Sequence, residues 1–394
     1  MKLDEIKIVA SRESASTDLA NRQRVSIPTT VANYKNLYGT TISNAVWDFK
    51  GTGTTVYENG ETSLRVTAGQ YRIMQSKEYH YYVAGQPMKF DITGNHFQKD
   101  TGLTKRVGAF SSNAVAPYDS DLDGIWFEAN GTDDKYWFKI YRRGVEVIKQ
   151  EIIPPSGYDF FMFNYLGFDY VWQGGRYIRL QGQLPNGDMV NFAFINYAQN
   201  YHLPFCMMPY LPLRLEIRST TGVGQIDLIC GAVNRDDGTD KVEVRIRNTP
   251  YAPVFNIANI GTRYVLGALR KNSNFREAFA QVTGGSVALT TADTVLIEFV
   301  KNPTLTAGTL TYTAIPESSC EYAQGNGTQT IGNTGLNIGG FMASNTSPIT
   351  DKTDNLLSTL YGGIDNSMDV IMMVATPITA TVSISNIITF KDLL

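Results

Sequence analysis

The sequence has few cysteines, few histidines and no long apolar run. Its 394 residues include three cysteines and three histidines, with no C-x-x-C pair and no metal-ligand spacing among them. This sparse, odd cysteine count argues against a disulfide framework or a zinc site, and we expect three free, largely buried thiols. No segment approaches the roughly 20 apolar residues of a membrane-spanning helix, and the N-terminus lacks the apolar run of a signal peptide. The sequence therefore predicts a chain that is made in a cytoplasm and is not inserted into a membrane.

An excess of charge of one sign is also missing. The 34 basic and 37 acidic residues leave a formal net charge of −3. Because this balance provides no electrostatic footprint for nucleic acid, we expect no nucleic-acid partner. The histidines belong to no metalloprotease or serine-hydrolase motif, and no P-loop lysine follows the glycine-rich segments. We therefore predict a non-enzymatic protein without catalytic or cofactor-binding residues.

Turn formers and aromatic rings, by contrast, are abundant. The chain has 35 Gly, 22 Tyr and 19 Phe, and only 18% of its residues are charged. Trp126, Trp137 and Trp172 fall between residues 106 and 180, among β-branched and aromatic runs that Gly, Asp and Pro interrupt. Such residues fit a pleated, half-buried surface. The composition favours an all-β chain, and this stretch is predicted to form the centre of a β-sandwich.

The length of the chain suggests two domains. We predict a short N-terminal arm at 1–28, a larger β-sandwich domain at 29–233, a linker at 234–254 and a second β-sandwich domain at 255–394, in tandem and of jelly-roll or lectin-like type. The polar arm either orders against a neighbouring subunit or frays. The weakly patterned stretch 323–367 predicts loop excursions on the surface of the second domain.

Three aspartates suggest a metal site. Asp119, Asp121 and Asp123 alternate along the chain just before Gly124. Carboxylates at this spacing resemble the start of an EF-hand loop, whose oxygen ligands suit calcium. The match then ends, because the twelfth position of the loop holds Asn130 instead of a bidentate glutamate. Two interpretations stay open: a calcium site at the three aspartates, and an acidic turn before the next strand.

Sugar chemistry is a further option for a β-sandwich. Glycoside hydrolysis needs two carboxyl groups at a defined separation in space, which the sequence does not reveal. Glu128, Asp169 and Glu216 are candidates only in this sense. The tyrosines at 78–82 and 196–201 could stack on sugar rings, because tyrosine combines an apolar ring with a polar tip. Packing of the same rings across strands is the alternative.

Five segments in this order resemble a family of two-domain β-rich structural proteins from virions of tailed bacteriophages and large DNA viruses. They are Gln-Ser-Lys-Glu-Tyr-His-Tyr-Tyr-Val-Ala-Gly-Gln at 75–86, Lys-Arg-Val-Gly-Ala-Phe at 105–110, Asp-Gly-Ile-Trp-Phe-Glu at 123–128, Leu-Arg-Leu-Glu-Ile-Arg at 213–218 and Gln-Ile-Asp-Leu-Ile-Cys-Gly-Ala-Val at 225–233. The resemblance covers about residues 70–300. The chain departs from the family at 171–177, where Val-Trp-Gln-Gly-Gly-Arg-Tyr replaces a Trp-Leu-Gly-x-Gly-x-Val segment.

This resemblance implies a virion component and brings no catalytic residues with it. The expected role is a capsid-decorating, head-fibre or tail protein that contacts copies of itself, other virion proteins and, as an option, a host surface glycan. Closed symmetry is usual for such parts, so we expect a trimer or a larger symmetric assembly. The alternatives are a major capsid protein with two β-barrels in one chain, and a carbohydrate-binding or glycan-cleaving β-sandwich protein.

Overall fold

The computed structural model describes residues 28–35, 46–172, 177–197, 200–236, 245–291, 294–344, 349–352 and 358–392. Within these ranges the chain forms 29 strands and no α-helix, and a single turn of 3₁₀ helix covers Ser273–Phe275. No helix in these ranges is long and apolar enough to cross a bilayer. The all-β prediction is therefore confirmed. The predicted N-terminal arm lies outside the described residues except for Pro28.

The chain divides into two compact units, Met1–Lys241 and Val242–Leu394. Part of the segment predicted as a linker is regular structure. The strand Gly224–Asp236 continues into it from the first unit, and the strand Arg245–Asn248 pairs with the last strand of the second unit.

The first unit is built from two antiparallel sheets. One has the order β13-β12-β11-β6-β15-β4-β3, with β1 added alongside β15, and the other has the order β10-β9-β8-β7-β14-β5-β2. The strands are β1 (Pro28–Lys35), β2 (Trp47–Gly51), β3 (Thr54–Glu58), β4 (Glu61–Val66), β5 (Tyr71–Ser76), β6 (Met88–Asn95), β7 (Leu103–Ser111), β8 (Asp123–Asn130), β9 (Lys135–Arg142), β10 (Val145–Ile152), β11 (Asn164–Tyr170), β12 (Ile178–Gln183), β13 (Met189–Ile195), β14 (Leu213–Ser219) and β15 (Gly224–Asp236).

The alternation of apolar residues explains how these two sheets pack. Burial alternates residue by residue along β6, so that Phe90 and Ile92 point inward. Leu215 and Ile217 of β14, on the other sheet, belong to the same buried cluster. Since successive side chains of a strand point to opposite faces, each sheet presents one apolar face to the other. The first unit is therefore a β-sandwich.

The second unit also contains two antiparallel sheets. One has the order β16-β29-β19-β26 with β17 and β27 at its sides, and the other has the order β21-β24-β18-β28-β20-β25 with β22 and β23 attached. The strands are β16 (Arg245–Asn248), β17 (Phe255–Ile257), β18 (Tyr264–Lys271), β19 (Ala280–Leu289), β20 (Thr294–Lys301), β21 (Leu305–Ala307), β22 (Thr313–Ala314), β23 (Cys320–Gln324), β24 (Thr330–Ile331), β25 (Leu336–Ser344), β26 (Ile349–Lys352), β27 (Ser358–Thr359), β28 (Val370–Pro377) and β29 (Val382–Asp392). Side chains of both sheets, among them Leu269, Val282, Met373 and Phe390, share one core cluster.

The weakly patterned stretch 323–367, which predicted loop excursions, contains one long strand, β25. β25 pairs with β20 at the end of its sheet, and most of its side chains are exposed or half-exposed. A strand with one neighbour and little burial lacks the apolar alternation that identifies a strand from sequence. For this reason its Gly, Asn and Ser content suggested a loop.

One buried histidine predicts a pH dependence of stability. His80 is 1% exposed, its Nε2 lies 3.2 Å from the Tyr34 hydroxyl, and its Nδ1 has no hydrogen-bond partner among the described residues. Burial lowers the pKa of His80 to about 3. The unfolded chain therefore takes up a proton near the usual histidine pKa, whereas the folded chain does not.

We expect the free energy of unfolding to fall by about 3 kcal/mol at His80 alone between about pH 7 and about pH 4.5. The pKa of His80 is lower in the folded chain than in the unfolded chain. The folded state is therefore most stable, as far as His80 is concerned, above the unfolded pKa, and it loses that stability as the pH falls toward the folded pKa. His80→Phe should remove this share of the pH dependence, because phenylalanine takes up no proton and the ring already packs edge-on against Phe90. Urea unfolding at the two pH values measures it. An unchanged pH dependence in the variant would contradict this role for His80.

Candidate functional site

An open cleft of about 460 Å³ lies in the first unit. One wall is the tip of the β9–β10 hairpin, and the other is the segment that follows β13. The lining residues are Arg142, Arg143, Val145, Val147, Tyr197, Tyr201, His202, Leu203, Pro204 and Met207. The cleft thus combines apolar walls with two guanidinium groups and two tyrosine rings.

The hairpin tip places an arginine at the rim of this cleft. Strand β9 ends at Arg142 and β10 begins at Val145, so Arg143 and Gly144 form a two-residue loop with φ of 44° and 80°. Such loops usually contain Asn-Gly or Asp-Gly, because both residues need positive φ. A larger side chain in this conformation costs on the order of 1 kcal/mol. The chain accepts that cost at a position where the Arg143 side chain is exposed and faces the cleft.

Asp123 holds the two walls of the cleft together. This first residue of β8 is 5% exposed. Its carboxylate accepts hydrogen bonds from the backbone amide of Arg143 at 3.0 Å, on the hairpin tip, and from the amides of Met207 at 2.8 Å and Met208 at 3.0 Å, on the opposite wall. Burial raises the pKa of Asp123, and these amides offset part of that rise. The carboxylate therefore fixes the spacing of the cleft.

The three aspartates predicted to bind calcium are not brought together. Asp123 is engaged by backbone amides, and the Asp119 carboxylate lies 3.7 Å from a guanidinium nitrogen of Arg218. Asp121 is an exposed turn residue with a φ of 51°. Over the described ranges, no group of three or more His, Cys, Asp or Glu side chains is placed to hold a metal ion. The positions of these side chains do not support the predicted calcium site. The segment is instead an acidic turn before β8.

Two stacked tyrosines form the floor and edge of the cleft. The rings of Tyr197 and Tyr201 lie 4.4 Å apart between centroids, with an interplanar angle of 14°. Tyr197 is buried, and its hydroxyl donates a hydrogen bond to the Leu203 carbonyl oxygen at 2.8 Å. Tyr201 is 42% exposed. A fixed inner ring therefore supports an outer ring that is accessible to a ligand.

Neither arginine of the cleft forms a salt bridge among the described residues, although the Arg143 guanidinium lies close enough to Asp123 to offset part of the rise that burial causes in the pKa of that carboxyl. Arg142 Nε lies 3.2 Å from the sulfur of Met207, and no ion pair involves Arg142 or Arg143. Two guanidinium groups therefore remain available beside the exposed Tyr201 ring. From the sequence alone Arg142 and Arg143 are only two adjacent basic residues, because the contact of the hairpin tip with the 200–207 segment is a tertiary contact.

The other predicted tyrosine platform, at 78–82, is mostly closed. Tyr79, His80 and Tyr82 are buried, so the packing interpretation is correct for these three rings. Tyr82 packs edge-on against Trp172. Of the two segments, 196–201 is the one that presents an exposed ring in a cleft.

The structure brings together two of the three candidate carboxylates. Glu128 and Glu216 lie on the face of their sheet that points away from the core, and Arg106 joins them at 2.8 Å and 2.6 Å. Lys139 also pairs with Glu128 at 2.7 Å, and Arg214 pairs with Glu216 at 2.6 Å. Asp169 is elsewhere, on β11 of the other sheet, where it pairs with Arg179.

The electrostatics of this pair do not supply a general acid. Burial opposes ionisation of Glu128 and Glu216, but the neighbouring guanidinium and ammonium groups outweigh it and lower the pKa of both. Hydrolysis by two carboxyl groups needs one that keeps its proton near neutral pH. The loop between β7 and β8 also covers the group, since Arg214 and Arg218 donate hydrogen bonds to the carbonyl oxygens of Tyr118 and Pro117. The arrangement therefore fits a structural role.

The predicted thiols are free, and their burial differs. Cys206 and Cys320 are buried, whereas Cys230 is half-buried. Cys206 lies beneath the cleft wall, where its backbone carbonyl oxygen accepts a hydrogen bond from Trp172 Nε1 at 3.1 Å. Burial raises the pKa of the Cys206 thiol well above its usual range, so it is no nucleophile for the cleft.

Comparison with known proteins gives weak structural likenesses. No protein-family model matches the sequence, and no curated protein matches it. A legume lectin-like domain from Entamoeba histolytica is 14% identical, with 48% of this chain and 89% of that chain covered and a TM-score of 0.35. The exoplasmic/lumenal domain of VIP36, bound to Ca2+ and Man3GlcNAc, is 10% identical, with 55% and 92% covered and a TM-score of 0.37.

A third solved structure comes from work on endo-acting O-glycanases of the human gut microbiota. It is 9% identical, with 52% of this chain and 98% of that chain covered and a TM-score of 0.39. Identities and TM-scores this low carry no argument about what this chain binds.

Proposed function

We propose that the first unit is a glycan-binding module that holds an acidic sugar in the cleft between the β9–β10 hairpin and the 197–207 segment, without cleaving it. The observation that carries this proposal is the exposed Tyr201 ring, backed by Tyr197 and placed beside two guanidinium groups that form no salt bridge in the described chain.

Each part of the cleft suits a part of such a ligand. The apolar face of a sugar ring packs against an aromatic ring, while the polar tip of tyrosine stays available to its hydroxyls. Guanidinium groups bind carboxylates through two parallel hydrogen bonds, which lysine cannot reproduce. A volume of about 460 Å³ also falls among ligand sites, which span roughly 300–1,000 Å³. Asp123 keeps the walls in place before a ligand arrives, which lowers the cost of ordering them on binding.

A virion role remains a prediction from the resemblance. An observation that favours subunit contact is the run of exposed apolar side chains at Phe161, Met162 and Phe163. Exposed apolar patches often mark protein interfaces. A glycan-binding cleft is compatible with such a role, since a virion surface protein can contact host glycans.

Tyr201→Ala is expected to weaken binding of an acidic glycan such as sialyllactose about tenfold, because the stacking surface is lost. Tyr201→Phe keeps the ring and should retain most of the affinity. The exposed position of Tyr201 predicts that both variants fold as the wild type does. Isothermal titration measures the affinities, after an array of acidic and neutral glycans has identified the best ligand.

The matched control is Tyr251→Ala, which removes an exposed tyrosine ring from the second unit. It should leave the affinity unchanged. Wild-type affinity in Tyr201→Ala, or equal losses in Tyr201→Ala and Tyr251→Ala, would rule out the cleft as the site.

A further inference from the structure

A second groove lies in the second unit and has a different chemistry. It is open, encloses about 430 Å³, and its lining includes Thr309, Thr311, Thr313, Tyr322, Gln324 and Thr328. None of the described residues that line it is charged. Because its lining is uncharged, this groove cannot bind an acidic ligand through salt bridges, as the arginines of the first unit can.

Alternation along one extended segment aims the threonines into this groove. Between Thr309 and Thr313, the intervening Leu310 and Tyr312 pack against a buried cluster that includes Val265. The Arg270 guanidinium lies 3.8 Å from the centre of the Tyr312 ring and adds to this anchoring. Since neighbouring side chains of an extended segment point to opposite sides, the threonines face outward into the groove.

A buried glutamine joins two segments that line the groove. Gln329 is buried, its Nε2 donates a hydrogen bond to the Thr309 carbonyl oxygen at 3.0 Å, and its Oε1 accepts one from the Asn326 amide at 2.9 Å. Thr309 and Asn326 both line the groove. Gln329 therefore ties two segments of the groove lining to each other.

Several polar groups that line the groove form no hydrogen bond with the protein itself, whereas the Thr328 hydroxyl donates one to Asn326 Oδ1 at 2.7 Å. The hydroxyls of the three threonines and of Tyr322, and the side-chain amide of Gln324, form no hydrogen bond within the described part of the chain. Hydroxyls and amides both donate and accept hydrogen bonds. A neutral oligosaccharide carries closely spaced hydroxyls that both donate and accept hydrogen bonds, and the apolar C–H face of one of its rings can pack against the Tyr322 ring.

We propose that this groove binds neutral oligosaccharides and that it is a site separate from the cleft of the first unit. The groove differs from that cleft in its lining residues, in the unit that contains it and in the charge of the ligand it suits. The proposal therefore does not depend on whether the first unit binds acidic glycans.

The test uses the full chain with maltotriose, cellotriose and N-acetylchitotriose as probes. Hydrogen exchange should slow at 308–313 and 322–329 with at least one of them, and titration gives its affinity. The variant Thr309→Val/Thr311→Val/Thr313→Val keeps side-chain shape and removes three hydroxyls, so we expect at least about tenfold weaker binding of that probe. Gln324→Met is a second variant with the same expected direction, should the triple variant not fold.

Two controls separate this site from the cleft. Thr381→Val changes an exposed threonine outside the groove and should bind the probe as the wild type does. Tyr201→Ala should also retain the neutral probe. The proposal is overturned if none of the three sugars protects 308–313 and 322–329, or if both groove variants bind the probe with wild-type affinity.

Discussion

Replacement of Arg106 by methionine is expected to lower the free energy of unfolding of the first unit by about 3–5 kcal/mol. Arg106 lies between Glu128 and Glu216, both of which are almost fully buried. Without its guanidinium, Glu128 keeps only Lys139 as an ion-pair partner, and Glu216 keeps Arg214 and Arg218. Each buried carboxylate loses one charge-assisted hydrogen bond from Arg106, and such a bond contributes about 1.5–3 kcal/mol.

Denaturant unfolding followed by tryptophan fluorescence measures this effect. The matched control is Lys135→Met, which removes the cation of an exposed ion pair with Glu151 in the same unit and should change stability little. Similar unfolding midpoints for Arg106→Met and Lys135→Met would show that the network is not what stabilises this face of the sheet.

Asp123→Asn is the second variant with a large expected effect. The carboxylate accepts hydrogen bonds from three backbone amides on the two walls of the cleft, and an asparagine turns an –NH2 group toward some of those donors. We expect a loss of about 2 kcal/mol of stability, faster hydrogen exchange at residues 205–208, and at least about tenfold weaker glycan binding.

Asp121→Asn is the control for this experiment, because Asp121 is exposed in the turn just before Asp123. It should leave both stability and glycan binding unchanged. The same pair of variants tests the calcium interpretation, under which calcium would stabilise the wild type and both substitutions would abolish that gain. Equal effects of Asp121→Asn and Asp123→Asn would contradict the role of Asp123 in fixing the walls.

The sequence was sufficient for the fold class and for the strands with clean alternation. Met88–Asn95 and Leu213–Ser219 alternate between apolar and polar residues, and both form core strands. Leu336–Ser344 was missed because an edge strand with exposed side chains has no such pattern. Local pattern thus predicts a strand only where one of its faces is buried.

The cleft could be predicted only in part, because it depends on contacts between distant segments. Tyr201 was named as a candidate ring, but Tyr79 and Tyr82 belonged to an equally plausible segment and are buried. What separates the two segments is tertiary packing, which a single sequence does not reveal. The role of Asp123 was also hidden, since its partners Met207 and Met208 lie 84 and 85 residues further along the chain.

The preference of the cleft for acidic over neutral sugars tests the central claim most directly. Titration of the wild type with sialyllactose and with lactose compares two ligands that differ by the acidic sugar. We predict about tenfold tighter binding of sialyllactose, and loss of this difference in the variant Arg142→Gln/Arg143→Gln. Equal affinities for the two sugars in the wild type, or a preference that survives the loss of both arginines, would contradict the claim.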